Sequence, residues 1–188
     1  RLMQLGFDGL RQRAQQKLAA LDMHDPEFCT KREFYQAVLI MYGAVEKYIL
    51  RYAALAEEMA AKETNEKRKA ELEQIAANCR AVAGGAPKTF WQALQLFHFA
   101  TMLICVESNG HSISYGRMDQ WLYPYYEADK GISKEFALEL LEVEYVKLNN
   151  PTKLKDAGSM ALRNGRGFGG ESLTIGGVKR DGTDATND

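Results

Sequence analysis

The sequence predicts an α-rich α/β protein in which helices predominate and two short strands complete the fold. Apolar residues recur at helical spacing in several long segments. One of these segments, residues 91–106, is apolar nearly all round, which is typical of a helix buried on all sides. Strands are predicted at residues 112–116, where polar and apolar residues alternate, and at residues 172–175.

The composition is that of a soluble globular protein. The 188 residues suffice for one domain with a sizeable core. Hydrophobic residues make up 46% and charged residues 26% of the chain. The net charge of −1 argues against nucleic acid or an anionic membrane as a partner. The longest apolar run contains Gln92, Gln95 and His98 and is too short to span a bilayer.

The three cysteines, Cys29, Cys79 and Cys105, lack the spacing of metal ligands. Their odd number and the lack of a signal peptide predict reduced thiols, a cytoplasmic location and no metal site. Neither Arg1 nor Asp188 resembles a natural terminus. We therefore expect an internal piece of a longer protein.

The first helix is predicted over residues 2 to about 21 and is ended by His24-Asp-Pro26. The residues expected on its inner side are Leu5, Leu10, Ala14 and Leu18. A third helix is predicted over about 65 to 83, ended by Gly84-Gly-Ala-Pro87. The residues expected on the inner side of this helix are Leu72, Ile75, Ala76 and Cys79.

The second helix, between these two, has the most regular pattern in the sequence. Thr30-Lys-Arg-Glu33 has capping-box spacing, in which the Thr hydroxyl and the Glu carboxylate bind the first free amides. Apolar residues then repeat at alternating steps of four and three, at Phe34, Val38, Met41, Val45, Tyr48, Tyr52, Leu55 and Met59. We call these eight residues the α2 seam, and they predict packing along a neighbouring antiparallel helix.

Three further helices are predicted. Thr89-Phe-Trp-Gln92 has capping-box spacing at the start of the fourth helix. A short helical segment from Asp119 to about Asp129 should bend at Pro124. Ser133 is expected to cap a helix that runs to about Asn149, with inward residues Phe136, Leu140, Leu141, Tyr145 and Leu148.

The remaining segments predict irregular structure. Residues 156–170 contain five glycines and should form a loop. Asp181-Gly182 predicts a turn. By contrast, residues 107–120 concentrate carboxylate, amide, imidazole, hydroxyl and guanidinium groups beside the apolar fourth helix. Such a concentration is expected where the protein meets a polar ligand.

The motifs in and around this polar stretch resemble the glycyl radical enzymes, in the branch that contains diol dehydratases and pyruvate formate-lyase-like proteins. Within the stretch they are Asn109-Gly-His-Ser112, Gly116-Arg-Met-Asp-Gln120 and Tyr123-Pro-Tyr-Tyr126. Outside it, and in the same order as in the family, they are Pro87-Lys-Thr-Phe-Trp-Gln-Ala-Leu-Gln95, Leu173-Thr-Ile-Gly-Gly177 and Asp181-Gly-Thr-Asp-Ala-Thr-Asn187. The resemblance implies that residues 1–188 are a single piece of the pyruvate formate-lyase-like domain, truncated at both ends. That piece would be part of the helical layer of a ten-stranded α/β barrel.

The resemblance also implies an activity. The full-length protein would be an enzyme of anaerobic metabolism that cleaves a C–O, C–N or C–C bond in a small, hydroxylated substrate by radical chemistry. A glycyl radical elsewhere in the protein would be installed by an activating enzyme that carries an iron–sulfur cluster and S-adenosylmethionine. The full-length protein is expected to be a homodimer. This chain has no cofactor-binding motif of its own.

His111 and Ser112 are the predicted substrate-binding residues. In diol dehydratase-like members of the family a His-Ser pair binds a substrate hydroxyl, whereas true pyruvate formate-lyases have two alanines there. The pair therefore favours a dehydratase over a formate acetyltransferase. The alternative is a histidine with a purely structural role.

Other residues are predicted to support this pocket. Arg117 is expected to bind backbone carbonyls or a carboxylate, Asp119 to cap a helix, and Asn109 to fix the loop. Family members often have an aromatic residue before Thr-Ile-Gly-Gly, but this chain has Gly170 nearby instead. Phe168 is the residue that could replace the missing aromatic side chain.

No catalytic residue is predicted within the chain. Cys105-Val-Glu107 imitates the Gly-Cys-x-Glu motif of the family but lies upstream of Asn109, so Cys105 is predicted to pack in the core. The Arg-Val-x-Gly context of the radical glycine is also missing. The glycine- and arginine-rich residues 163–170 are too short to predict RNA or phosphate binding. The competing function is a non-catalytic helical interaction module that docks a partner through the α2 seam.

Overall fold

The computed structural model of the protein describes residues 1–108, 113–148, 157–158 and 172–187. These residues contain six helices and two strands. They form two compact units, Arg1–Lys88 and Thr89–Asp188. The predominance of helices and the single parallel strand pair confirm the predicted α-rich α/β class.

The first unit begins with helix α1, Leu2–Ala19, which is interrupted at Gly6. Gly6 has a φ of 64°, a conformation that favours glycine. The segment Gly84–Ala86 passes against this point, and a β carbon on Gly6 would lie 2.3 Å from the carbonyl carbon of Gly85. The Asp8 N–H donates to the Gly84 carbonyl at 2.8 Å. Close backbone contact therefore joins the start of the unit to its end.

The interruption changes which residues of α1 face the core. Phe7 and Ala14 are buried, whereas Leu5 is 37% exposed. The prediction that Leu5 lies on the inner side is wrong because the break at Gly6 rotates the first turn relative to the rest of the helix. Leu10 and Leu18 are partly buried, as an inner face requires.

Helix α2, Phe28–Lys62, begins before the predicted capping box. Asp25 orders the preceding turn: its carboxylate accepts the Glu27 N–H at 2.8 Å and pairs with Lys31 at 2.6 Å. The helix has no side-chain cap, and Thr30 lies inside it. The capping box is therefore wrong, because the Asp25 turn starts the helix two residues before Thr30.

Helix α3, Glu66–Val82, packs on α2 and is capped by Asn65, which accepts the Arg68 N–H at 3.0 Å. Its buried residues include the predicted Leu72, Ala76 and Cys79, together with Asn78 and Val82. The buried residues of α2 are Val45, Ile49, Ala53, Ala56 and Ala60. Because alanine is small, a face rich in alanine lets the two helices approach closely.

The α2 seam is mostly exposed, so its predicted packing is wrong. Of its eight residues Val45 alone is buried. The exposed members, between 43% and 62% accessible, are Phe34, Met41, Tyr52, Leu55 and Met59. The sequence pattern drew attention to the largest apolar side chains, whereas the contact with α3 uses the neighbouring stripe of alanines.

The helix starts in the second unit follow local signals. Helix α4, Phe90–Ser108, begins where predicted, and the Thr89 hydroxyl accepts the Gln92 N–H at 3.2 Å. A carboxylate oxygen of Asp129 accepts the Phe90 N–H at 3.1 Å. Helix α6, Lys134–Lys147, is capped by Ser133, which confirms that prediction. Helix α5, Met118–Ala128, contains Pro124, and the bend expected at this residue stays a prediction.

Burial along α4 and α6 differs from the prediction. The ring of His98 on α4 lies 3.2 Å from the carboxylate of Glu144 on α6, and Glu144 is only 6% exposed. Ala137 and Glu144 are the buried residues of α6, whereas Phe136 and Tyr145 are 37% and 45% exposed. A paired carboxylate occupies the inner face where the sequence predicted aromatic rings.

The end of α4 is also more exposed than predicted. Ile104 and Val106 are 51% and 74% accessible, so the helix is not buried on all sides by the described residues. None of the helices in the described ranges combines the length and the hydropathy that crossing a membrane requires.

Strand β1, Ser114–Arg117, pairs in parallel with β2, Ser172–Thr174. Ser114 lies opposite Ser172, but Gly116 lies opposite Leu173, so Tyr115 is an extra residue. The expectation that residues 172–175 form a buried strand is wrong in its burial, since Leu173 and Ile175 are 37% and 72% exposed. Of the predicted loop at 156–170, all but residues 157–158 lie outside the described ranges.

We expect Val45→Asp to lower the free energy of unfolding of the full-length protein by roughly 3 kcal/mol or more, because it buries an unpaired charge. Val45 is 5% exposed. Ala54→Asp is the matched control, since Ala54 is exposed and lies on the opposite side of α2. Equal melting temperatures for the two variants would contradict the burial of Val45.

Gly6→Ala should lower the free energy of unfolding by roughly 2 kcal/mol or more, through a strained φ and a backbone clash. Gly43→Ala is the control, because a β carbon at this helical position meets nothing within 4 Å. That control should raise the stability by roughly 0.5 to 1 kcal/mol. Chemical denaturation of both variants measures the difference, and a neutral Gly6→Ala would argue against the close approach.

Candidate functional site

The junction between β1 and α5 carries several of the polar side chains that the sequence associates with a site. Tyr115 and Met118 are buried and fix the junction in the second unit. Arg117, Asp119 and Gln120 reach the residues that follow β2. Because β1 and β2 are parallel, both chains leave the strand pair at the same edge. The candidate site is built at this edge.

Asp119 and Gln120 bind both main-chain polar groups of Gly176. The Gly176 N–H donates to Asp119 Oδ2 at 2.7 Å, and Gln120 Nε2 donates to the Gly176 carbonyl. Arg117 Nη1 donates to the Val178 carbonyl at 2.8 Å. We call the two bonds to Gly176 the Gly176 clamp.

The clamp holds a turn that needs glycine. Gly176 and Gly177 have φ values of 68° and 95°. A β carbon on Gly177 would lie 3.8 Å from Arg117 Nη1, which is an ordinary contact, so the backbone conformation rather than crowding favours glycine there. After the turn the Ala185 N–H donates to the Gly177 carbonyl at 2.9 Å, and Ala185 is buried.

The chain between Val178 and Ala185 folds back on itself. The predicted turn at Asp181-Gly182 is confirmed, with the Gly182 N–H donating to the Lys179 carbonyl at 3.1 Å. The hydroxyl and the amide of Thr183 both bind Asp181 and lower the pKa of its carboxyl. These carboxylate bonds close an exposed turn and so have a structural role.

An aromatic cluster packs β1 against α4. The ring centroid of Phe97 lies 5.1 Å from that of Tyr115 and 5.0 Å from that of Trp121. Trp121 Nε1 donates to the Tyr115 carbonyl at 3.3 Å. This cluster places apolar surface directly beside the strand that follows residues 109–112.

A cavity of about 230 Å³ opens between α5 and α6. Its walls are mainly apolar and include Phe90, Leu122, Tyr126, Leu138 and Leu141. Asp119 also lines it, and its Oδ1 is buried without a hydrogen-bond partner among the described residues. A buried carboxylate oxygen normally accepts a hydrogen bond, so this atom marks the polar end of the cavity.

Of the predicted site residues, Arg117 and Asp119 are described, and both bind the segment 176–178. Asp119 does not cap α5, because it lies inside the helix, where its Oδ2 accepts the Gly176 N–H; the cap position is occupied by Arg117. The other predicted residues lie outside the described ranges, and they are Asn109, His111, Ser112, Phe168 and Gly170.

Sequence reasoning missed Gln120. Its partner Gly176 lies 56 positions along the chain, so no local pattern pointed to the contact. The available signal was its place in Gly116-Arg-Met-Asp-Gln120, where three polar residues surround one buried methionine. The pair His98–Glu144 was missed for the same reason, since its residues lie 46 positions apart.

No disulfide joins the cysteines within the described ranges, and no group of three or more potential metal ligands occurs in those ranges. Cys79 and Cys105 are buried, while Cys29 is exposed. Burial raises the pKa of the Cys79 thiol to about 11, which keeps it protonated and unreactive at neutral pH.

The sequence matches the pyruvate formate lyase-like family over residues 1–188. It is 65% identical to the (2S)-3-sulfopropanediol dehydratase of Klebsiella oxytoca, over 100% of this chain and 23% of that protein. It is 41% identical to the probable dehydratase YbiW of Escherichia coli K12, over 94% of this chain and 22% of that protein.

The fold is similar to that of the glycerol-bound, B12-independent glycerol dehydratase from Clostridium butyricum. The TM-score is 0.95 at 41% identity, and the match covers 99% of this chain and 24% of that one. The chain thus spans about a quarter of the length of these relatives.

Proposed function

Because the chain belongs to the pyruvate formate lyase-like family, we propose that the full-length protein is a glycyl radical dehydratase that removes water from a small hydroxylated substrate. The observation that carries this proposal is the 65% identity, over the whole chain, to a (2S)-3-sulfopropanediol dehydratase. The same observation makes a sulfonated propanediol the preferred substrate class. Glycerol-like diols come next, since the glycerol dehydratase from Clostridium butyricum is 41% identical.

The proposed reaction converts a vicinal diol into an aldehyde and water. One C–O bond breaks, the hydroxyl leaves with a proton as water, and the carbon skeleton is otherwise kept. The reaction needs no external oxidant, because the hydrogen abstracted at the start returns to the product. The radical is carried by a glycine and a cysteine outside residues 1–188.

Within this chain, His111 and Ser112 bind a substrate hydroxyl. A buried imidazole and a buried hydroxyl both need polar partners, and a diol supplies them. Asn109, Phe168 and Gly170 contribute to the same pocket. The aromatic cluster beside β1 supports the proposal, because radical chemistry requires a surrounding from which water is excluded.

We also propose the wider setting, on the resemblance to the family. The full-length protein receives its radical from an activating enzyme with an iron–sulfur cluster and S-adenosylmethionine, forms a homodimer and works in the cytoplasm. Residues 1–188 form one continuous piece of its pyruvate formate-lyase-like domain, within a ten-stranded α/β barrel. The activating enzyme is therefore an obligatory partner in any assay.

We expect the full-length protein, activated under anaerobic conditions, to dehydrate (2S)-3-sulfopropanediol with a kcat/KM at least about tenfold above that for glycerol or 1,2-propanediol. Product aldehyde is measured by coupled reduction. Pyruvate with coenzyme A is the control substrate and should give no formate. Formate production without diol dehydration would overturn the proposal, and the absence of both activity and a radical signal after activation would favour the interaction-module alternative.

His111→Ala and Ser112→Ala should each lower kcat/KM by roughly tenfold to a hundredfold. The reason is that the substrate hydroxyl would lose a hydrogen bond in a pocket from which water is excluded. The melting temperatures should stay unchanged. Ser108→Ala, at the exposed end of α4, is the control and should retain full activity. A lower melting temperature together with an unchanged kcat/KM at equal glycyl radical content would assign the two residues a structural role instead.

A further inference from the structure

We propose that Asp119 and Gln120 are positioning residues for the dehydration and that they act through the main chain of Gly176. This inference rests on the proposed function. It is independent of any direct contact between the two side chains and the substrate. Three features of the structure support this role: both main-chain polar groups of Gly176 are hydrogen-bonded by side chains, the strand pair is short, and β1 directly follows the proposed substrate-binding pair in the chain.

The first feature is that the Gly176 clamp replaces strand pairing. Ladder pairing ends at Arg117 and Thr174, and Gly176 then adopts a φ of 68°, so its main chain cannot continue the ladder. Its N–H and its carbonyl are instead satisfied by Asp119 and Gln120. Both donor and acceptor of one residue are therefore held by consecutive residues in the first turn of α5.

The second feature is that the strand pair alone is too short to fix its own alignment. Three residue pairs join β1 to β2, and Tyr115 interrupts their register. A pair of such short strands is marginal by itself. The alignment of β1 with β2 is thus determined at the far end of the pair, where the clamp binds.

The third feature is the position of β1 directly after the proposed substrate-binding pair. Ser112 precedes Ser114, the first residue of β1, by two positions. A slip of one residue between the strands would move β1 by about 3.3 Å and would reverse the facing of its side chains. Orientation of a reacting C–H bond tolerates only a fraction of such a shift, about 0.5 Å. The clamp therefore holds in register the strand that directly follows the proposed substrate-binding pair in the chain.

The two side chains are chemically suited to this role. The carboxylate of Asp119 forms a charge-assisted bond to the Gly176 amide, and an acidic residue is favourable in the first turn of a helix. The amide of Gln120 can donate to a carbonyl, which a glutamate cannot do when ionised. Gln120→Glu therefore changes a favourable contact into a repulsive one with almost no change in size.

The test uses the full-length, activated protein and (2S)-3-sulfopropanediol, with its dideuterated form at the carbon from which hydrogen is abstracted. Gln120→Glu and Asp119→Ala should lower kcat by roughly tenfold or more at equal radical content, with little change in KM. They should also raise the primary isotope effect on kcat, because hydrogen abstraction becomes slower than the other steps. Asp119→Asn keeps an acceptor for Gly176 and should restore most of the activity.

Glu127→Gln changes a charge on the exposed part of α5 and is the control that should behave as wild type. Lower melting temperatures with unchanged kcat and isotope effect would overturn the proposal and leave the clamp a purely structural role. Hydrogen exchange of peptides covering residues 113–120 and 172–178 gives a readout that does not require activity. If wild type dehydrates no diol, the proposed function fails; faster exchange in Gln120→Glu would then still support the clamp, and unchanged exchange would refute it.

Discussion

The second unit depends on the hydrogen bonds made by the main chain of one residue, Gly176. A main-chain N–H and carbonyl that leave a strand pair must find partners, and here both are supplied by side chains from α5. The contact joins residues 57 positions apart in sequence. The parallel strands, the aromatic cluster and the turn at 179–185 are all arranged around this junction. Without it, β1 and β2 would share only three residue pairs.

The elements of the fold could be predicted from sequence wherever a local signal sets a boundary. Thr89 and Ser133 cap their helices as expected, because a hydroxyl three residues before a free amide is a short-range arrangement. Burial was predicted less well. Most buried residues of α2 come one position after a residue of the exposed seam, which is a rotation of about 100° around the helix, and only the approach of α3 decides between the two faces. A periodic pattern shows that a helix has an apolar side without specifying which part of that side is covered.

The same distinction between local signals and distant contacts applies to the candidate site. The motif Gly116-Arg-Met-Asp-Gln120 identified the right segment, and resemblance to a family suggested a purpose for it. The partners of Arg117 and Asp119 could not be read from the sequence, because each bond ends on a main-chain atom of a distant residue. Main-chain atoms are the same in nearly every residue, so a contact with them requires no particular residue type. What the sequence does show is the two glycines at 176 and 177, whose positive φ values the turn requires.

The distance between the two halves of the clamp has a consequence for biosynthesis. Asp119 leaves the ribosome well before Gly176, and at about 5 to 20 residues per second the delay is roughly 3 to 11 s. During this interval α4 and α5 have been synthesised but the strand that completes their unit has not. The helix pair α2–α3, whose residues are neighbours in sequence, has already been made. The nascent chain thus carries its most apolar helix for seconds before the strand that completes the second unit has been made.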